Sequence, residues 1–226
     1  MNRRRLNNIA ISLFALLLTL VAAGGAWAGE PVGTVTHLSG PLFAQKSDGT
    51  MKTLAKDSGV EVGDLLVTKQ RTFARIKFTD GSEVTLRPET EFKIEALAFD
   101  QAKPEGDSAV LDLVKGGMRA ITGQIGKRGN AEAYKTKTPA ATIGIRGTIY
   151  EVRVCFNDCG ELANGVYFFV VQGSIEVTNG AGSVLVGAGQ YAYSPNLATP
   201  PMILPQAPPL EFNLPKGIDG LDCEVR

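Results

Sequence analysis

The chain has 226 residues, 44% hydrophobic and 20% charged, with 23 basic side chains against 23 acidic. This composition excludes global disorder, and the charge balance excludes a globally basic nucleic-acid binder. A single His, His37, and three Cys are too few for a His-rich metal site or for most triad chemistry, so no enzyme activity, catalytic residue, metal or other cofactor is expected.

Arg3-Arg4-Arg5, an apolar run from Ile9 to Ala23 and Ala26-Trp27-Ala28 follow the positive, apolar and small-x-small order of an export signal. Residues 1–28 are therefore predicted to be a signal peptide. Its apolar run is shorter than the roughly 20 residues a spanning helix needs, so no membrane span is expected after cleavage; an uncleaved anchor is the open alternative. The expected location is periplasmic or secreted, an oxidising compartment.

From Val32 to Ser194 the sequence reads as short β-branched or aromatic alternations broken by Gly. The predicted fold is a single all-β domain over 33–194, an irregular solenoid or a sandwich of bent strands. Residues 73–78 and 82–86 flank Thr79-Asp80-Gly81. A two-residue loop there would set Lys77 against Val84 and put charge on the apolar face. A three-residue loop with Gly81 left-handed instead aligns Ala74, Ile76 and Phe78 with Ser82, Val84 and Leu86. A decapeptide also recurs, at 35–44, 111–120 and 168–177, aligned on Gly40, Gly116 and Gly173. Apolar residues stand two before each Gly (Leu38, Val114, Val171), two after (Leu42, Met118, Ile175) and four after (Ala44, Ala120, Val177). Each copy is predicted to be a strand, a bend and a second strand.

Three Cys in an exported chain permit one bridge with three possible pairings. Cys155 and Cys159 are the best pair, pinning a short turn, with Cys223 left free. After Ser194, seven of the twelve Pro fall between Pro195 and Pro215, which predicts an extended, Pro-rich tail over 195–226. That tail either reaches for a partner or packs Met202, Ile203, Leu204, Leu210 and Phe212 on the domain's own surface.

Charge is unevenly spread. Lys115, Arg119, Lys127, Arg128, Lys135, Lys137, Arg146 and Arg153 are balanced only by Glu132 and Glu151 within 115–153, a net of +6. Gathered on one surface, these groups would attract an anionic envelope polymer, lipid headgroup or acidic protein. Alternation of strand faces would disperse them. Asp64 and Asp80 stand beside Gly in predicted turns, where carboxylates cap local amides, and His37 lies in an apolar strand. Residues 123–129 lack the first Gly and the Ser or Thr of a phosphate loop.

The run Thr138-Pro139-Ala140-Ala141-Thr142-Ile143-Gly144-Ile145-Arg146-Gly147-Thr148 resembles the signature of the FecR domain family. Val62-Gly63-Asp64-Leu65-Leu66, Phe78-Thr79-Asp80-Gly81-Ser82, residues 170–177 and Gly187-Ala188-Gly189-Gln190 are similar to its other motifs, in the family's order, over about 33–194. The resemblance implies an exported β-module of the kind found outside the membrane in regulators that relay the state of outer-membrane receptors to sigma factors. With only Met1 to Asn8 before the apolar run, a cytoplasmic anti-sigma region is not expected. The implied function is a non-enzymatic periplasmic or secreted interaction module in envelope signalling or assembly, its partner an unidentified envelope protein. The possible interaction residues are Thr138, Pro139, Gly144, Arg146, Gly147 and Thr148, with Arg146 read first as an architectural fork onto carbonyls. The alternative is a polysaccharide-binding module using the basic segment with exposed Tyr134, Tyr191 and Tyr193.

Overall fold

The structure, a computed structural model, describes residues 30–128, 130, 132–145, 147–210, 212, 214, 215 and 218. The expected signal peptide, Arg146 and Cys223 lie outside the described residues. In chain order the strands are β1 (Gly33–Leu38), β2 (Leu42–Gln45), β3 (Met51–Leu54), β4 (Gly59–Val60), β5 (Leu65–Thr68) and β6 (Ala74–Phe78). Then come β7 (Glu83–Leu86), β8 (Glu91–Ala98), β9 (Ser108–Lys115), β10 (Gly117–Ile121), β11 (Tyr134–Lys137) and β12 (Thr142–Ile145). The last are β13 (Ile149–Cys155), β14 (Gly165–Gln172), β15 (Ser174–Asn179), β16 (Gly182–Gly187), β17 (Tyr191–Ser194) and β18 (Met202–Leu204).

These strands form two nine-stranded sheets. The front sheet runs β18-β17-β14-β13-β10-β7-β6-β1-β4, and the back sheet β16-β15-β12-β11-β9-β8-β5-β2-β3. Within the sheets every recorded pairing is antiparallel except β9 with β11. One apolar cluster drawn from both sheets fills the space between them, with Leu42, Leu66, Ile76, Phe92, Leu111, Met118, Ile143, Tyr150 and Phe168 fully buried. The all-β expectation is met, in its sandwich form.

Each repeated decapeptide is a place where the chain changes sheet: β1 to β2, β9 to β10, and β14 to β15. Gly116 and Gly173 have φ of 84° and 81°, the left-handed region that a Cβ disfavours. A Cβ on Gly116 would stand 2.6 Å from Thr90 Cα, and one on Gly173 would stand 2.8 Å from the Gly147 carbonyl oxygen. The positions two and four after each Gly are buried as the repeat predicts. Those two before are not: Val114 is 40% exposed and Leu38 and Val171 are half-buried, because the last residues before a bend lie at the rim, beyond the facing sheet.

The β6–β7 hairpin has the expected register, with Ile76 opposite Val84 and Ala74 opposite Leu86. Gly81 has φ 79°, and Asp80 Oδ1 accepts from the Ser82 amide at 2.9 Å. Two threonine pairs tie together four further sheet changes, β5 to β6 with β7 to β8 and β10 to β11 with β12 to β13, by one shared pattern. Thr68 donates its amide to the Thr90 carbonyl (3.0 Å) and its Oγ1 accepts from the Thr90 amide (2.9 Å). Thr122 and Thr148 do the same, at 3.1 Å and 2.7 Å. Each pair satisfies buried backbone groups that leave their ladder at a crossing.

The Pro-rich segment does not simply leave the sandwich. β18 pairs with β17, Tyr191 opposite Leu204 and Tyr193 opposite Met202. Beyond it, Phe212 is buried with its ring 5.8 Å from both Phe169 and Tyr191. The Ile218 carbonyl then accepts from Thr85 Oγ1 at 3.4 Å. Among its described residues the tail thus touches the outer face of the front sheet at two places, Phe212 and Ile218, as a strap.

Candidate interaction surfaces

Most of the signature run is architecture. Thr138 closes the β11–β12 turn: its Oγ1 donates to the Ala141 carbonyl at 2.7 Å and accepts from the Ala141 amide at 3.1 Å. Pro139 is the exposed tip, while Ala140 and Ala141 are buried. Ile143 and Ile145 point into the core. Gly147 takes φ 63°, and Thr148, beyond its bond with Thr122, donates Oγ1 to the Ser174 carbonyl at 2.7 Å.

Gly144 is different. It lies in mid-strand with an ordinary φ, on the outward side of the back sheet, and an added Cβ would meet nothing within 4 Å. Neither turn geometry nor close packing inside the domain requires Gly there, although Gly weakens a strand. It forms the floor of a depression of about 300 Å³ lined by Glu132, Lys135, Thr142, Gly144, Glu176 and Thr178. Cross-strand pairing explains the lining: Lys135 is opposite Gly144, Gly144 opposite Glu176, and Glu176 opposite Leu185. Lys135 pairs with Glu132 at the rim. The surface therefore offers hydroxyls, two acids, a cation and uncovered backbone, a chemistry suited to a polypeptide and without any nucleophile–base arrangement.

Farther along the same face Lys137 pairs with Glu95, and Asp112 lies between them. Burial, reinforced by Glu95, raises the Asp112 carboxyl above its ordinary value, against the pull of Lys137 and Lys93.

The outer face of the front sheet carries a different chemistry. Glu151 is 1% exposed on this face, with Arg119 Nε 3.0 Å from one carboxylate oxygen and Arg87 Nη2 3.2 Å from the other. Burial raises the Glu151 carboxyl above its ordinary value even with both guanidiniums opposing it. Burial likewise lowers Arg87, while Glu151 draws it back up. Beside this network an aromatic layer stacks Phe169 on Tyr191 at 4.4 Å and Tyr167 against Tyr193 at 4.7 Å.

The basic segment is not gathered into one patch. Arg119 is buried in the front-sheet network, and Arg153 lies on the same face opposite Tyr167. Lys135 and Lys137 stand on the outer face of the back sheet, each with a carboxylate. Arg128 binds Asp107 at 2.8 Å and the Asp100 carbonyl at 2.9 Å, with its guanidinium over Phe99. Lys127 and Lys115 are exposed at separate points on the rim. Strand alternation dispersed the charge that looked continuous along the chain. Tyr134, expected at the surface, is fully buried, because it alternates inward with Thr136, and Tyr191 and Tyr193 are half-buried.

Cys155 and Cys159 form a disulfide across a turn in which Asn157 has φ 64° and Phe156 is 49% exposed. Asp64 and Asp80 act as turn residues: Asp64 Oδ2 accepts from the Glu61 amide at 3.0 Å, and its other oxygen pairs with Lys46. His37 sits at a β1 bulge opposite Arg75. The sequence reading missed Glu151 and Arg87. A lone acid between Tyr150 and Val152 in a strand is the available signal, but only the pairing of β7, β10 and β13 shows which cations meet it.

No curated protein matches the chain. Two crystal structures of a candidate anti-sigma factor from Parabacteroides distasonis ATCC 8503 resemble it, at 13% and 12% identity and TM-scores of 0.48 and 0.47. Each likeness covers 62% of this chain, which spans 58% of the length of those proteins. Over residues 64–176, which include the Asp-Gly-Ser turn and the whole signature run, the chain matches the model of the FecR protein family, and it belongs to that family.

Proposed function

We propose that this FecR-family protein is a non-enzymatic interaction module of the cell envelope, exported by residues 1–28 and working in the periplasm or outside the cell. Its part is in envelope signalling or assembly, and its ligand is a segment of another envelope protein. Gly144 carries the reading: a mid-strand signature Gly that neither turn geometry nor the domain's own packing requires lies at the floor of an open polar depression. A Gly in a strand interior is accounted for when another backbone approaches closely.

The test compares wild type with Gly144→Val by crosslinking in the native envelope and by thermal unfolding. Filling the open space should leave stability unchanged or slightly raised, by no more than about 1 kcal/mol because Val favours a strand, and abolish the crosslinked species. Retention of that species by Gly144→Val would refute the reading. Binding to purified anionic envelope polymer that fades steeply with salt would favour the polysaccharide alternative instead.

A further inference from the structure

Four strand edges close the two sheets, and they are not alike. At one end, β4 has only two residues, Gly59–Val60, flanked by Asp57 and Glu61, and β3 carries Lys52 between Lys46 and Lys56. Short strands and lysines are the usual means by which an open edge resists pairing. At the other end, β16 and β18 fall inside the stretch between Glu176 and Glu211, which contains no Asp, Glu, Lys or Arg. β16 spans six residues, Gly182–Gly187, and its Leu185 is 68% exposed, the most exposed large hydrophobic residue among those described. Leu197 (59%) and Met202 (46%) are exposed in the same uncharged stretch.

Independently of the reading given for Gly144, we infer that β16 is a self-association edge whose occupant is the β16 of a second copy of this chain. Two requirements restrict the pairing. To keep Val184 and Val186 on the core side in both copies, a strand related by a two-fold axis must pair residues of the same parity. The two-residue loop Gly180-Ala181 closes on Asn179 opposite Gly182. By antiparallel alternation, Ser183 and Leu185 then turn their N–H and C=O away from β15, toward the open side. Centring the axis on Leu185 meets both conditions and sets Leu185 against Leu185 and Val184 against Val186. Centring it on Val184 would set Leu185 against Ser183, a poorer cross-strand match, and would bring the crowded Gly182 end, where Pro200 packs, into the interface. Because β16 has no charge, its self-pairing meets no like-charge repulsion. The same operation on β3 would bring lysines together. The result is one continuous back sheet across two copies.

The experiment uses the full chain exported to an oxidising compartment and purified from it, with Cys223→Ser to remove the third cysteine. Sedimentation should show a dimer at a chain concentration on the order of 100 µM. Leu185→Lys should be monomeric at the same concentration, with an unchanged circular dichroism spectrum. In the proposed register the two Leu185 Cα atoms are about 5.5 Å apart, within disulfide reach. Leu185→Cys should therefore yield a covalent dimer on a non-reducing gel, whereas Ser183→Cys, which faces Gly187 of the other copy, should not. A monomer at that concentration, a dimer unaffected by Leu185→Lys, or equal crosslinking from both cysteine variants would each overturn the inference. So would a monomer that takes up an extended strand from a different protein at this edge.

Discussion

The outer faces of the two sheets have been put to opposite uses. On the front sheet the chain covers itself: Phe212 and Ile218 lie over Phe169, Tyr191 and Thr85, and a carboxylate with two guanidiniums is buried on the same face. On the back sheet the charges are half-exposed, paired side by side, and interrupted by the uncovered backbone of Gly144. The same alternating strands produce both faces, so the difference comes from the strap. A face closed by its own chain contributes to stability, while one left open with a bare glycine is available to something else. If this is correct, substitutions on the front face should act on folding and those on the back face should not.

The largest expected effect is at Arg119. Arg119→Met keeps the apolar stem but removes one of the two cations that oppose the burial of Glu151. Breaking a buried pair in this way costs about 3–5 kcal/mol. The pH dependence has a definite sign. Burial already raises the Glu151 carboxyl above its ordinary value of 4.5, so its contribution is fully present below that value and is lost as pH rises through the raised one. Removing Arg119 raises it further. Urea unfolding of Arg119→Met should therefore show the greatest loss at neutral pH and partial recovery on acidification. A loss independent of pH would mean that Glu151 is not the group left exposed to the penalty.

Next in size is the strap itself. Phe212→Ala removes an almost fully buried ring from the aromatic layer and should cost about 2 kcal/mol by lost burial. Amide exchange should then speed up locally, at Thr85 and Arg119, before the rest of the sandwich opens. Uniform acceleration would mean that the strap is no separate unit. A smaller effect is expected beside it for Cys155→Ser: the bridge to Cys159 closes a short loop and constrains little unfolded-chain entropy, so the loss should not exceed about 2 kcal/mol. Mass mapping of the wild type should find Cys155 joined to Cys159.

Local features were legible in the sequence. The Thr79-Asp80-Gly81 loop, the bends at Gly116 and Gly173 and the Cys155–Cys159 bridge each depend on residues close in the chain, where turn chemistry and period-two alternation decide the outcome. What could not be read was which strands become neighbours. Glu151 meets Arg87 and Arg119 only because β13 lies beside β10 and β10 beside β7. The basic run from Lys115 to Arg153 failed as a patch for the same reason: adjacent segments of the run belong to different sheets. Tyr134 was misplaced because its alternation with Thr136 permits either face until β9 is paired with β11. Gly144 was visible as a motif residue, but that nothing in the domain requires it to be Gly emerges only when the space above it is measured.

The smallest expected effect lies on the open face and tests the comparison from its other side. Lys137 pairs with Glu95 while about half of the Lys137 side chain remains in water. The Glu95 carboxylate, by hydrogen bond and charge, raises Lys137 above its ordinary value, so the two groups do interact. Solvent screening and the entropy of holding two long side chains still keep such an exposed pair weak. A double-mutant cycle with Lys137→Ala and Glu95→Ala, measured by urea unfolding, should return a weak coupling, smaller than the loss from Arg119→Met and reduced by salt. A coupling as large as the Arg119→Met loss and indifferent to salt would show that the back face, like the front, is devoted to holding the domain together, and would remove the reason for treating it as the surface offered to a partner.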